Sequence, residues 1–85
     1  MTPDPMRYVS QTRKRTTSNR RAAEVTFSGS VAFGFQVIAE CPITRLKGPG
    51  SLGPYIGDYP SEQAVHKAET EALAALDYII EETQP

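Results

Sequence analysis

This sequence has little of what most catalytic and metal sites require. It contains one cysteine, Cys41, and one histidine, His66, so it excludes an intramolecular disulfide and any zinc site built from several cysteines. A nucleophilic thiol–imidazole pair would need these two residues to meet beside a third, orienting group, and no spacing in the sequence indicates this. We therefore expect no enzyme activity, no cofactor and no metal.

Long apolar runs are also missing. No stretch approaches the roughly 18 apolar residues of a membrane helix, and residues 1–11 lack the apolar centre of a signal peptide. Together with the lone thiol, this predicts a cytoplasmic protein with no membrane contact. The chain has no tryptophan, three phenylalanines and four tyrosines. Its core must therefore be small, and formation of a homodimer would help its stability.

The charges that are present are unevenly distributed. Net charge is only −1, but basic residues concentrate near the N-terminus and acidic residues near the C-terminus. Residues 1–22 carry little apolar surface, so we expect a flexible basic arm, with at most a short edge strand near residues 7–10, before a single domain over 23–83. Its candidate contacts to nucleic-acid phosphates or to an acidic protein partner are Arg13, Lys14, Arg15, Arg20 and Arg21.

Alternating hydrophobicity predicts a β-hairpin in the first half of the domain. A strand over 23–27 is followed by turn residues at 28–30 and by a second strand from Val31 to Glu40. The odd positions of the second strand are expected to face the core: Val31, Phe33, Phe35, Val37 and Ala39. The even face is small and half apolar, so Ile38 on that face is a candidate interface residue, for instance in a dimer.

The next stretch combines turn residues with a motif that resembles a nucleotide site. Residues 42–54 are rich in glycine and proline and predict a long loop, followed by a short third strand over 55–59. The letters of Gly48–Gly53 match G-x-G-x-x-G, but that fingerprint requires a helix directly after the glycines. We therefore expect no dinucleotide site here. Tyr55 and Tyr59 are candidate aromatic anchors of a protein interface.

The C-terminal segment predicts one amphipathic helix. Ser61 is the expected N-cap, and the helix should extend to about Glu82 without glycine or proline. Its apolar stripe is Val65, Ala68, Ala72, Leu73, Leu76, Ile79 and Ile80. We place His66 and Asp77 on the exposed face. The predicted fold is a two-layer α+β sandwich, in which this helix covers an antiparallel sheet of three or four strands.

The order of three strands and an alanine-rich helix, after the Tyr-Pro-Ser of residues 59–61, is similar to the second half of a double-stranded-RNA-binding domain, over about residues 24–76. That family carries lysines in the first turn of this helix. Here Glu62 and Gln63 occupy it, so the resemblance implies the topology and not RNA binding. We expect a small non-catalytic adaptor or inhibitor that contacts a protein partner. The alternative is a nucleic-acid-associated protein that binds the phosphate backbone through the basic arm.

Overall fold

The computed structural model describes residues 6–83. Its elements in chain order are β1 (Val9–Thr16), β2 (Ala22–Ser30), β3 (Gly34–Glu40), β4 (Lys47–Gly50), β5 (Tyr55–Ile56), β6 (Tyr59–Pro60) and α1 (Glu62–Thr83). Strands β1 to β4 form one antiparallel sheet in sequence order, and β5 pairs with β6 in a separate hairpin. Helix α1 packs on one face of the larger sheet. The predicted α+β sandwich is confirmed, with four strands in the sheet.

The first strand lies inside the segment expected to be a flexible arm. Residues 9–16 pair with β2 along their whole length, from Val9 opposite Gly29 to Thr16 opposite Ala22. Only Val9 is partly buried, so backbone pairing rather than apolar contact orders this strand. The sequence analysis expected this segment to be flexible because it carries little apolar surface, and therefore missed β1. Residues 1–5 of the expected arm lie outside the described residues.

The β2–β3 hairpin is confirmed, but its turn is shifted along the chain. Strand β2 continues through Ser30, and β3 begins at Gly34, whose φ of +85° favours glycine. The Ser30 hydroxyl accepts the N–H of Phe33 at 3.2 Å within the three-residue turn. Phe33 is therefore 80% exposed instead of lying in the core, and Val31 is only partly buried, whereas Val37 is buried as expected.

The predicted glycine- and proline-rich loop contains a further edge strand, β4. It pairs with β3 and makes the closest approach of the sheet to the helix. A Cβ at Gly48 would overlap backbone atoms of Leu76 and Ala72, and one at Gly50 would overlap the backbone of Ala68. These glycines are therefore present because the helix backbone leaves room only for hydrogen, and they do not mark a flexible loop.

The expected third strand over 55–59 is instead a small hairpin. Strands β5 and β6 are joined by a turn at Gly57 and Asp58, and Gly57 has a φ of +64°. Two residues of each strand pair, with Tyr55 opposite Pro60 and Ile56 opposite Tyr59. The glycine in the middle of the predicted strand is the residue that allows the chain to reverse.

Helix α1 begins where the sequence predicts and ends within one residue of the prediction. The Ser61 hydroxyl accepts the N–H of Ala64 at 3.0 Å, which confirms the N-cap. The helix buries a narrow stripe against the sheet: Ala64, Ala68, Ala72, Leu76 and Ile80. Asp77, which we expected on the exposed face, is buried as well. No helix within residues 6–83 is long and apolar enough to cross a membrane.

Candidate protein-binding surface

Six of the seven aromatic side chains lie at one end of the sheet. The strand register brings together the start of β1, the β2–β3 turn and the start of β3 at this end. The β5–β6 hairpin joins them through contacts to Phe35. We call this region the aromatic end and define it as Tyr8, Phe27, Phe33, Phe35, Tyr55, Ile56 and Tyr59. The seventh aromatic residue, Tyr78, lies in the second half of α1.

Four rings of the aromatic end form a contiguous cluster. Phe27 and Phe35 stack with ring centroids 5.4 Å apart and ring planes inclined by 5°. Phe35 also contacts Tyr59 at 5.4 Å and Tyr55 at 6.3 Å in tilted arrangements. Because such pairs stabilise by about 0.5–1.5 kcal/mol beyond area burial, this cluster fixes the short hairpin on the sheet. The two tyrosines predicted as interface residues, Tyr55 and Tyr59, are thus brought together on Phe35.

The outer members of the aromatic end are exposed to solvent. Phe33 is 80% exposed, Ile56 75% and Tyr8 65%. Tyr55 and Tyr59 keep 42% and 39% of their surface accessible despite their ring contacts. Single exposed apolar residues are ordinary, but contiguous apolar patches mark interaction surfaces. Phe33, Ile56 and Tyr8 were not identified from the sequence. Gly34, which directly follows the three-residue turn after Ser30, is the signal that would have placed Phe33 in that turn.

A groove of about 550 Å³ runs from the aromatic end between β1 and the first half of α1. Its β1 wall carries Arg13 and Arg15, and its helix wall carries Glu62, His66 and Glu69. Phe27 and Tyr59 also line it, which makes the groove continuous with the aromatic end. The walls bear opposite charges, and within residues 6–83 the two arginines make no ion pair with the glutamates.

The five basic residues that the sequence analysis predicted as binding contacts lie in different places in the fold. Arg13 and Arg15 lie on the groove face of β1, while Lys14 lies on the opposite face. Arg20 is exposed in the β1–β2 loop, with a φ of +62°. Arg21 points to α1 and forms ion pairs there. One continuous basic arm is therefore absent from the described residues, and at most two of the five side chains share a site.

Arg21 belongs to a clamp that joins the β1–β2 loop to the last turns of α1. The Asp77 carboxylate accepts the Arg21 guanidinium at 3.0 Å and the Asn19 N–H at 3.2 Å. Burial raises the pKa of Asp77, but hydrogen bonds from Thr17, Arg21 and Asn19 outweigh that effect and hold the pKa below its ordinary value. The clamp therefore fixes the β1–β2 loop on the second half of α1.

Ile38 lies on the other face of the sheet from the tyrosines. It is partly buried and surrounded by polar residues that include Gln36 and Glu40. Two side-chain hydrogen bonds cross this face, one between the hydroxyls of Thr12 and Thr26 at 2.9 Å and one between Gln36 and a serine of β2. No element of residues 6–83 covers this face, but its polar character fits contact with water.

The thiol and the imidazole have different surroundings. Cys41 is buried at the start of the β3–β4 turn, where hydrogen bonds from Thr44 and from the backbone of Ile43 lower the pKa of its thiol. His66 is exposed and lines the groove, to which Cys41 does not contribute. Among the described residues, no group of three or more histidine, cysteine and acidic side chains could hold a metal ion.

Comparison with known proteins finds no relative: no protein-family model, curated protein or solved structure matches this chain. The likeness to a double-stranded-RNA-binding domain therefore remains one of element order. In the first turn of α1, Glu62 and Gln63 are both exposed. Function has to be inferred from the surface of the molecule itself.

Proposed function

We propose that this chain is a small non-catalytic adaptor or inhibitor that binds a protein partner through its aromatic end and the adjoining groove. The observation that carries the proposal is the grouping of six of seven aromatic residues at one end of the sheet, with Phe33 and Ile56 largely exposed. Tyrosine and phenylalanine are enriched at protein interfaces, where each buries on the order of 150–250 Å². A partner would remove this apolar surface from water.

The rigidity of the ring cluster supports a binding role. Phe35 contacts three other rings, so Tyr55 and Tyr59 are already held in place before any partner arrives. A preorganised aromatic anchor loses little side-chain entropy on binding, which is one reason why such residues dominate interface energetics. Exposed but unsupported aromatic side chains would lose more.

The charges of the groove favour a protein over a nucleic acid. Arg13 and Arg15 attract phosphate, but Glu62 and Glu69 face them across the groove and repel it. Arg21 is neutralised by Asp77. Paired walls of opposite charge instead suit a protein segment that carries both signs, because complementary charges orient a partner and speed its association.

Two isoleucines offer a matched test of the proposal. Ile56 belongs to the aromatic end, whereas Ile43 is 87% exposed in the β3–β4 turn at the other end of the sheet. We expect the tagged wild-type chain and the tagged Ile43→Asp variant to capture the same discrete protein at moderate salt, from the cytoplasmic fraction of cells that produce this protein. Ile56→Asp should recover at least about tenfold less, since burying an unpaired carboxylate in an interface costs several kcal/mol.

Three other results would contradict the proposal. The two variants could recover the partner equally. The captured material could be nucleic acid whose binding falls steeply with salt, which would support the alternative of a phosphate-binding protein. Sedimentation equilibrium could show a homodimer that Ile56→Asp dissociates, which would assign the aromatic end to self-association.

A further inference from the structure

The outer edge of β1 is a long, unpaired strand edge. β1 is the first strand in the sheet order, and no strand within residues 6–83 pairs with its outer side. Seven of its eight residues are exposed. Free N–H and C=O groups along such an edge can receive another extended chain. The edge starts at the aromatic end, because Tyr8 directly precedes Val9.

The cations on the two faces of β1 have different neighbours across the strand pair. Lys14 lies opposite Glu24 of β2, although the two side chains form no ion pair within residues 6–83. Arg13 and Arg15 lie opposite apolar residues of β2. Within residues 6–83 neither arginine forms an ion pair, and the glutamates of the helix wall stay beyond ion-pair distance. The groove face of β1 therefore presents two guanidinium groups that have no carboxylate partner within residues 6–83, and that of Arg15 donates a hydrogen bond to the backbone carbonyl of Lys14 at 3.1 Å.

We infer that the β1 edge takes up an extended acidic segment of a partner protein as a fifth strand, with two carboxylates facing Arg13 and Arg15. Such a strand lies on the outer side of β1, because α1 packs on β2, β3 and β4, so its carboxylates meet the arginines from the side away from Glu62 and Glu69. Residues directly opposite each other in paired strands share a face, and alternate residues return to that face. Acids two positions apart thus match the two arginines, and the residue between them meets Lys14 on the other face. This inference rests on the proposed function and adds the chemistry of the partner segment.

Basic residues on an edge strand can have a simpler role, because they discourage edge-to-edge association of like chains. That role does not depend on which face of the strand carries the charge. Recognition of an acidic strand does depend on it, since only Arg13 and Arg15 lack a carboxylate opposite them in the sheet. The two explanations therefore predict different outcomes for substitutions at neighbouring positions.

A synthetic peptide can test this without knowledge of the natural partner. The probe is fluorescently labelled Thr-Val-Glu-Val-Glu-Val-Thr, which reads the same in both directions, so the result is independent of strand orientation. We expect saturable binding by the full chain in fluorescence anisotropy at physiological salt. The lysine counterpart, Thr-Val-Lys-Val-Lys-Val-Thr, should not bind.

Single charge reversals then separate the two faces of β1. Arg13→Glu and Arg15→Glu should each weaken binding of the glutamate peptide about 3- to 10-fold, because an exposed ion pair is replaced by a repulsion. Lys14→Glu makes the same change in net charge on the other face of β1. It should weaken binding of the glutamate peptide less than about 2-fold, because charges are screened over about 8 Å at physiological salt. The double variant at Arg13 and Arg15 should bind the lysine peptide. Equal losses at all three positions would overturn the inference.

Backbone pairing has its own test in N-methylated peptides. Alternate residues of a strand point their N–H groups to opposite edges, so methylating the two glutamates and methylating the two outer valines must have different effects. One of these peptides should bind like the parent, and the other should lose at least about tenfold. Equal loss in both, or no binding by the parent, would refute strand addition. The two experiments fail separately. If the peptide does not bind but partner capture is lost in Ile56→Asp, only strand addition is refuted. If the peptide binds but partner capture is unchanged in Ile56→Asp, only the proposed function is refuted.

Discussion

Replacing Asp77 by alanine should destabilise the protein more than any other substitution of an acidic side chain among the described residues. The carboxylate accepts hydrogen bonds from the Arg21 guanidinium, the Asn19 N–H and the Thr17 hydroxyl. Thr17 is itself only 4% exposed, so it cannot regain a water partner without local opening. The substitution leaves these donors without their acceptor and removes the attachment of the β1–β2 loop to α1.

The magnitude follows from the exposure of the partners. A hydrogen bond to a charged group contributes about 1.5–3 kcal/mol, and breaking a fully buried ion pair costs about 3–5 kcal/mol. The Arg21 side chain is 27% exposed and can rehydrate or move towards Glu81, 3.6 Å away. We therefore expect a loss of about 2–3 kcal/mol, which for a domain of this size lowers the melting temperature by roughly 8–24 °C.

Urea unfolding followed by circular dichroism measures this loss as a shift of the midpoint at constant slope. Glu81→Ala removes the exposed acid of the same clamp, which accepts the Asn19 side-chain amide and pairs with Arg21; because its side chain is 55% exposed, this change should cost less than about 1 kcal/mol. Because the folded pKa of Asp77 is lowered, its contribution is present above the unfolded value of 3.8 and is lost as pH falls through the folded pKa. The gap between wild type and Asp77→Asn should therefore narrow below about pH 4. A cost of Asp77→Ala under about 0.5 kcal/mol, or a gap independent of pH, would refute the clamp.

Two further predictions concern the packing of α1. Gly50→Ala forces a Cβ into the backbone of Ala68 and should cost about 2–3 kcal/mol, whereas Gly53→Ala enters open space and should cost under about 0.5 kcal/mol in the same urea assay; equal costs would contradict the close approach. Ser61→Ala removes the N-cap acceptor and should cost about 1 kcal/mol by thermal unfolding, with the exposed Ser10→Ala as the control that leaves the melting temperature unchanged. No difference between the two serine variants would show that the cap does not stabilise the helix.

The parts of the fold that were predictable depend on local side-chain patterns. The helix carries a cap at Ser61, helical spacing of apolar residues and no breaker, and each signal acts within a few residues. The hairpin of β2 and β3 was predictable from alternation, but its turn was misplaced because Ser28–Ser30 has the composition of a turn, whereas the actual turn residues Val31–Phe33 are apolar and continue the alternation of a strand. The pairing of Gly29 with Phe35 decides between them, and that pairing is a property of the sheet.

The parts that were missed depend on contacts between distant residues. β1 is ordered by hydrogen bonds to β2, and its own side chains show no burial pattern. The glycines of β4 predict a loop from the sequence alone, because the contact with the backbone of α1 that requires them is between distant residues. Asp77 was expected to be exposed because its partner, Arg21, lies in a loop 56 positions earlier in the chain. Of the candidate site, Tyr55 and Tyr59 were predictable as aromatic residues near turns, but their grouping with Phe35 was not.

Photo-crosslinking tests the central claim most directly, because it reports which end of the molecule touches a partner. A benzophenone amino acid placed at position 33 or 56 samples the aromatic end, and the same group at position 43 samples the opposite end at comparable exposure. We predict a discrete protein adduct from positions 33 and 56 and none from position 43. Adducts only from position 43, or equal yields from both ends, would contradict the assignment of the aromatic end as the binding surface.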